Sequence, residues 1–164
     1  MSKKISIGFF GDGKWALNSL KLILKKKNYL IKFICTRYDF PDLTLISFCK
    51  KNNIKLLKFR NVNDLLSIKE IQSHRLDMIV SMSYNQIFKK KLIGYFKFGI
   101  INCHASYLPF YRGRSPLNWV LIKDEKFFGI TVHYVNQGID KGDIIMQKKF
   151  KITNKDNFKT ILNK

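Results

Sequence analysis

The sequence predicts an α/β fold: a mainly parallel central sheet with helices on both faces and an antiparallel hairpin added at the C-terminal end. Three observations carry this. Up to residue 104, short apolar runs alternate with segments of helical period, which is the pattern of a parallel sheet. The segment DMIVSMS (residues 77–83) is apolar on both faces, as a central parallel strand is. Beyond residue 125, two stretches of alternating apolar and polar residues flank a Gly-bounded turn, as the arms of a hairpin do.

Each element follows in order. ISIGFF (residues 5–10) is a buried first strand, and Gly11-Asp12-Gly13 a tight turn. Trp15, Leu17, Leu20, Ile23 and Leu24 recur at helical spacing and predict a helix over residues 14–27. YLIKFICT (residues 29–36) is the second strand; a short loop over residues 37–42 follows, with Asp42 as N-cap of a helix over 43–52. Residues 55–59 form a third strand, and Asn63 can cap a helix over 64–73. The strand over 77–83, a helix over 88–96 and a strand over 99–104 complete the parallel part. Pro116 marks the first turn of a helix over 115–123. The hairpin runs over 129–135 and 143–152, with Ile130, Val132 and Tyr134 on one face, and a last helix begins at Asn157.

Length and composition bound the protein. At 164 residues, with 46% hydrophobic and 14% aromatic residues, one packed domain over residues 1–164 is expected. Cys35, Cys49 and Cys103 are widely spaced and odd in number, which predicts no disulfide framework and a reducing, cytoplasmic setting. The apolar run after the two N-terminal lysines is too short for a signal segment or a membrane span. A net charge of +20 raises the possibility of nucleic-acid binding, but the lysines are dispersed and several runs fall at helix ends, where the dipole favours cations. No specific nucleic acid and no membrane are therefore expected as partners.

Two constellations carry chemistry. Gly11-Asp12-Gly13-Lys14-Trp15-Ala16 fits G-x-G-x-x-A between a strand and a helix, the dinucleotide-binding pattern. The acidic residue such a site wants after the second strand is replaced by Cys35-Thr36-Arg37, so a phosphate-bearing substrate at the helix N-terminus, or a purely structural turn, is the competing reading. The second set is Asn102, His104 and Asp140. Asn102 and His104, two apart on one strand, share a face, and Asp140 lies in the turn Gly138-Ile139-Asp140-Lys141-Gly142. Acyl transfer needs these types together: an oxyanion donor, a proton-transfer group and an anion that orients it. His74 and His133 lack comparable neighbours in the sequence, no spacing matches a metal site, and Ser106 lacks the strained turn of a nucleophile.

The residues Asn102-Cys103-His104-Ala105-Ser106, Leu108-Pro109, Tyr111-Arg112-Gly113, Pro116, Trp119, Gly129-Ile130-Thr131-Val132-His133 and Asp140-Lys141-Gly142 resemble the 10-formyltetrahydrofolate-dependent formyltransferases. The resemblance extends over nearly the whole chain and implies a Rossmann-like formyltransferase fold. It implies that Asn102, His104 and Asp140 are catalytic, and that 10-formyltetrahydrofolate is the co-substrate with no metal. The pterin is expected against Met82, Ser83, Tyr84, Ile87, Asn136 and Gly138, and the acceptor substrate against Gly11, Asp12, Gly13, Lys14 and Arg112.

Within that family the opening GFFGDGKWA and the stretch GRSPLNW are most similar to the nucleotide-sugar N-formyltransferases, whose setting is lipopolysaccharide O-antigen biosynthesis. A nucleotide-linked amino sugar is accordingly the expected acceptor. Methionyl-tRNA and glycinamide ribonucleotide are the alternatives, and a dinucleotide-dependent oxidoreductase or a basic RNA-binding module the readings from other classes. The tRNA enzymes carry a long basic insertion where this chain has only residues 37–42. The sugar enzymes run on beyond this length, often into a dimerising region, so a catalytic domain lacking a C-terminal region, and a homodimer, are the corresponding expectations.

Overall fold

The computed structural model describes residues 3–164 and contains two compact units, Met1–Asn102 and Cys103–Lys164. In the first, β1 (Ile5–Gly11), α1 (Gly13–Leu24), β2 (Tyr29–Thr36), α2 (Leu43–Lys51), β3 (Lys55–Lys58), α3 (Leu65–Ser73), β4 (Met78–Met82) and α4 (Lys90–Ile93) alternate as the sequence predicts. The strand β5 (Ile100–His104) crosses the boundary. Strand order in the first unit is β3-β2-β1-β4-β5, with β1 parallel to both β2 and β4. The chain thus winds outward from β1 in one direction, then crosses back to β4. That reversal makes the C-terminal ends of β1 and β4 a topological switch point, the place where ligands of open α/β sheets bind.

β1 is central because it is apolar on both faces. Ile7 and Phe9 pack with Ala16 and Leu20 of α1 and Leu45 and Cys49 of α2. On the other face Phe10 meets Phe33, Phe59, Tyr84 and Phe88 ring to ring, at centroid distances of 5.2–6.4 Å. Asp42 caps α2 as expected, accepting from Thr44 N and Leu45 N. Two local expectations change. Asp64, not Asn63, caps α3 by accepting from Ser67 N at 2.7 Å. Asn63 instead bridges to Ile87 O and Lys89 N, anchoring the segment after β4. The helix predicted over 88–96 shrinks to α4, which has no side-chain cap at its start; it buries Leu92, and Phe88 and Phe96 are buried on either side of it.

The second unit holds α5 (Pro116–Ile122), β6 (Phe127–Tyr134), β7 (Ile144–Lys151) and α6 (Phe158–Ile161). β6 and β7 pair antiparallel from Phe127↔Lys151 to His133↔Ile144, so the predicted hairpin is present. Its buried side differs from the simple apolar reading. Besides Phe128 and Gly129, β6 buries the polar Thr131 and His133, whereas Tyr134 is exposed. Thr131 and His133 both have polar partners, which offsets the cost of burying them. Asn157 opens α6 with a capping box to Thr160.

The turn between β6 and β7 closes tightly at Gly142, where a Cβ would stand 1.7 Å from Tyr134 O. That atom is backbone, so nothing can yield cheaply. Gly142→Ala is expected to destabilise the chain by about 1–3 kcal/mol or more, which thermal unfolding would register as a melting temperature several degrees lower; an unchanged midpoint would contradict the packing described.

Candidate active site

His104 ends β5 with 7% of its surface exposed, two positions after Asn102 on the same strand. The chain then coils back through three residues with positive φ, Tyr111, Gly113 and Ser115. This coil returns the Tyr111 carbonyl to within 2.8 Å of His104 Nε2. A carbonyl oxygen only accepts, so Nε2 carries a proton. The other ring nitrogen, Nδ1, lies 3.6 Å from Asp140 Oδ2. Asp140 itself stands in the turn before β7, at φ +48°. Gly113 N donates to its Oδ2 at 2.8 Å, and Arg112 Nε to its carbonyl at 3.0 Å. Gly138 N closes the front of that turn on Asn136 Oδ1 at 2.9 Å.

A third group completes the site. His133 Nε2 lies 3.5 Å from Asp140 Oδ1, and its Nδ1 donates to Tyr134 O at 2.8 Å. The two histidine rings stand edge to face, 6.5 Å apart. One carboxylate is therefore shared by two imidazoles, each with its other nitrogen fixed on a backbone carbonyl. Sequence reasoning passed over His133. The signal available was its place beside Thr131 on the face of β6 opposite Ile130 and Val132. His74 also has partners, Glu70 at 3.3 Å and Lys55 at 3.4 Å, with its ring against Phe33.

Burial by itself would raise the Asp140 carboxyl. The His133 contact, the Gly113 N–H and the positive character of both imidazoles outweigh it and hold the group below its ordinary 3.8. Asp140 is thus an anion at neutral pH. Asp143 supplies the turn with its carbonyl, which accepts from Tyr134 N at 2.9 Å; the carboxylate facing His104 is that of Asp140. Ser106 donates to Phe110 O at 2.7 Å and so serves the loop.

The Gly11–Gly13 turn is built differently from an anion cradle. Gly13 N, the first amide of α1, donates to Asp42 Oδ2 at 3.0 Å. Asp12 precedes α1 without capping it; its Oδ2 lies 3.8 Å from Arg37 and its buried Oδ1 has no hydrogen-bond partner. Burial raises the Asp12 carboxyl, Arg37 opposes this, and the nearby Asp42 and Asp39 add to the rise. An expected phosphate at this amide is thus displaced by a carboxylate of the chain itself. Lys14 begins α1 beside this turn. At the end of β4, Met82 O accepts from Asp12 N and Met82 Sδ from Ser19 Oγ. Ser83 takes a positive φ, Tyr84 stacks on Phe88 and reaches Cys35, and Ile87 is exposed. Among the described residues no group of three or more His, Cys, Asp or Glu could hold a metal ion, and no helix is long and apolar enough to cross a membrane.

The chain is mainly parallel α/β and carries its imidazole–carboxylate pair at the end of the fifth strand. Solved structures share that fold: phosphoribosylglycinamide formyltransferase from Bacillus halodurans superposes with a TM-score of 0.84 at 22% identity, covering 96% of this chain and 86% of that one. A formyltetrahydrofolate deformylase from Pseudomonas syringae gives 0.83 at 22%, over 99% and 56%. The family described as Formyl transferase matches residues 42–164, three quarters of the sequence, and this chain belongs to it. Among curated relatives, methionyl-tRNA formyltransferase of Prochlorococcus marinus (strain AS9601) is 32% identical over 95% of this chain and 50% of its own length. That of Fusobacterium nucleatum is 33% identical over 94% and 52%. The chain spans about half the length of the curated relatives it matches.

A carboxyl whose folded pKa is depressed stabilises the fold above its unfolded value and loses that contribution as pH falls through the folded one. Asp140→Asn is therefore expected to melt below the parent chain near neutral pH, with the gap closing as pH drops below about 4. Melting curves across that range check this; a gap that widens toward acid would contradict an ionised Asp140.

Proposed function

We propose that this chain, acting as one catalytic domain, transfers a formyl group from 10-formyltetrahydrofolate to an amine. The observation that carries the reading is the buried His104–Asp140 pair, with His133 on the carboxylate's other oxygen. The folate supplies the formyl carbon, bonded to its N10. As the unprotonated amine bonds to that carbon, charge develops on the formyl oxygen. The Asn102 amide and a proton on His104 Nδ1 meet that charge; at 3.6 Å from Asp140 this nitrogen is not committed to a firm hydrogen bond. Asp140 orients the imidazole and passes the amine's proton, through water, to N10 as the carbon–N10 bond breaks. Met82, Ser83, Tyr84 and Ile87, in the first unit, are groups we assign to the folate.

For the acceptor we favour the amine of a nucleotide-linked amino sugar, met by Gly11, Asp12, Gly13 and Lys14. Two features bear on this. The β2–α2 connection is confined to residues 37–42 and carries Asp39 and Asp42 rather than a basic insertion. Gly13 N is already taken by Asp42, which leaves no phosphate-binding amide at the start of α1. A second reading, methionyl-tRNA, is favoured by the names of relatives about one third identical and by the net charge of +20. Three free cysteines suit a cytoplasmic enzyme.

One assay separates these readings: 10-formyltetrahydrofolate consumption with a nucleotide amino sugar, methionyl-tRNA and glycinamide ribonucleotide offered in turn. The sugar is expected to be the efficient acceptor; preference for methionyl-tRNA would install the second reading, and transfer to none would overturn the function. With the efficient acceptor, His104→Asn is expected to lower kcat by about 10²–10⁴-fold while folate binding persists. Near-parent turnover would remove His104 from the mechanism.

A further inference from the structure

We propose that Gln147, on β7, is a positioning residue for His104. It touches neither the imidazole nor Asp140, and acts through the chain segment between them. Its kinetic consequence rests on the formyl-transfer reading above; its structural consequence does not.

The link is a closed hydrogen-bond network. Gln147 Nε2 donates to Leu108 O at 2.7 Å and to Thr131 Oγ1 at 3.0 Å, which uses both of its amide hydrogens. The fully buried Thr131 hydroxyl donates to Ser106 O at 2.7 Å and accepts Leu108 N at 3.1 Å. With Gln147 it has one donation and two acceptances, its full capacity. Ser106 Oγ then donates to Phe110 O at 2.7 Å, and Phe110 N to Tyr107 O at 3.1 Å. The segment ends at Tyr111, whose carbonyl receives the His104 Nε2 proton. That last bond decides which ring nitrogen faces Asp140. Gln147 therefore fixes one end of a segment whose other end fixes the histidine. Without it, Leu108 O and one Thr131 lone pair lose their donor in a buried setting, and the segment holding Tyr111 O loosens.

Two variants of the full chain test this. Gln147→Leu keeps bulk and removes both donors. Gln147→Glu keeps bulk and polarity, turns the donor into an acceptor near neutral pH, and regains one O–H donor when protonated. The first readout is the exchange rate of the His104 Nε2 proton in ¹⁵N-edited imidazole spectra, assigned with His104→Asn. Both variants are expected to exchange at least about tenfold faster than the parent at neutral pH, the scale of one lost hydrogen bond. The second readout is kinetic: kcat lower by about 10- to 100-fold, KM for 10-formyltetrahydrofolate unchanged, and partial recovery on acidification for the glutamate variant alone. Parent-like proton exchange in either folded variant overturns the proposal. If the leucine variant does not fold, the glutamate variant decides. If the parent chain transfers no formyl group, the proposed function fails while the proton exchange still decides the role of Gln147.

Discussion

The carboxylate of Asp140 is the group on which the second unit's geometry depends. It is partly buried, which favours the neutral form, yet it is held as an anion by a backbone amide and two imidazoles. Each imidazole is in turn fixed by a carbonyl, that of Tyr111 for His104 and that of Tyr134 for His133. Removing the charge would leave two histidines with nothing to face. The hairpin, the turn before β7 and the coil after β5 are all set by where that charge has to stand.

Holding it there takes unusual backbone. Tyr111, Ser115 and Asp140 adopt left-handed conformations, and Gly113 a positive φ that its missing Cβ makes easy. Such residues cost roughly 1–3 kcal/mol each and persist only where surrounding contacts over-determine them. Here the contacts are visible: Gly113 N and Arg112 Nε on Asp140, Tyr111 O on His104, and the Thr131–Gln147 network under the start of the coil. The strain and the chemistry share the same few residues. Gly129 makes the close approach possible on the other side, since a Cβ there would meet the backbone of Tyr107 at 2.9 Å.

Much of this was legible in the sequence, for physical reasons. Alternating apolar runs and helical periods located β1 to β5 because burial sets those periods directly. Asp42 declared itself as a cap by its place before an apolar helical run. His104 and Asp140 stood out by residue type, spacing and resemblance to the formyltransferases. What stayed hidden depends on contacts across long sequence distances. His133 looked isolated because its partner, Asp140, is brought to it by a turn with left-handed backbone. The Gly11–Gly13 turn matched an anion-binding pattern, yet Asp42, twenty-nine residues on, occupies its amide. Asn63 read as the cap of α3, but Ile87 and Lys89 claim its side chain, and Asp64 caps the helix instead.

The central claim is that Asp140 stays ionised because two imidazoles and one amide surround it. A ¹³C titration of the Asp140 carboxyl reads this directly, in the parent chain and in a His133→Asn variant. The account predicts an inflection below the ordinary 3.8 in the parent, moving upward when His133 is replaced. An inflection above that value in the parent, or one indifferent to His133, would contradict it.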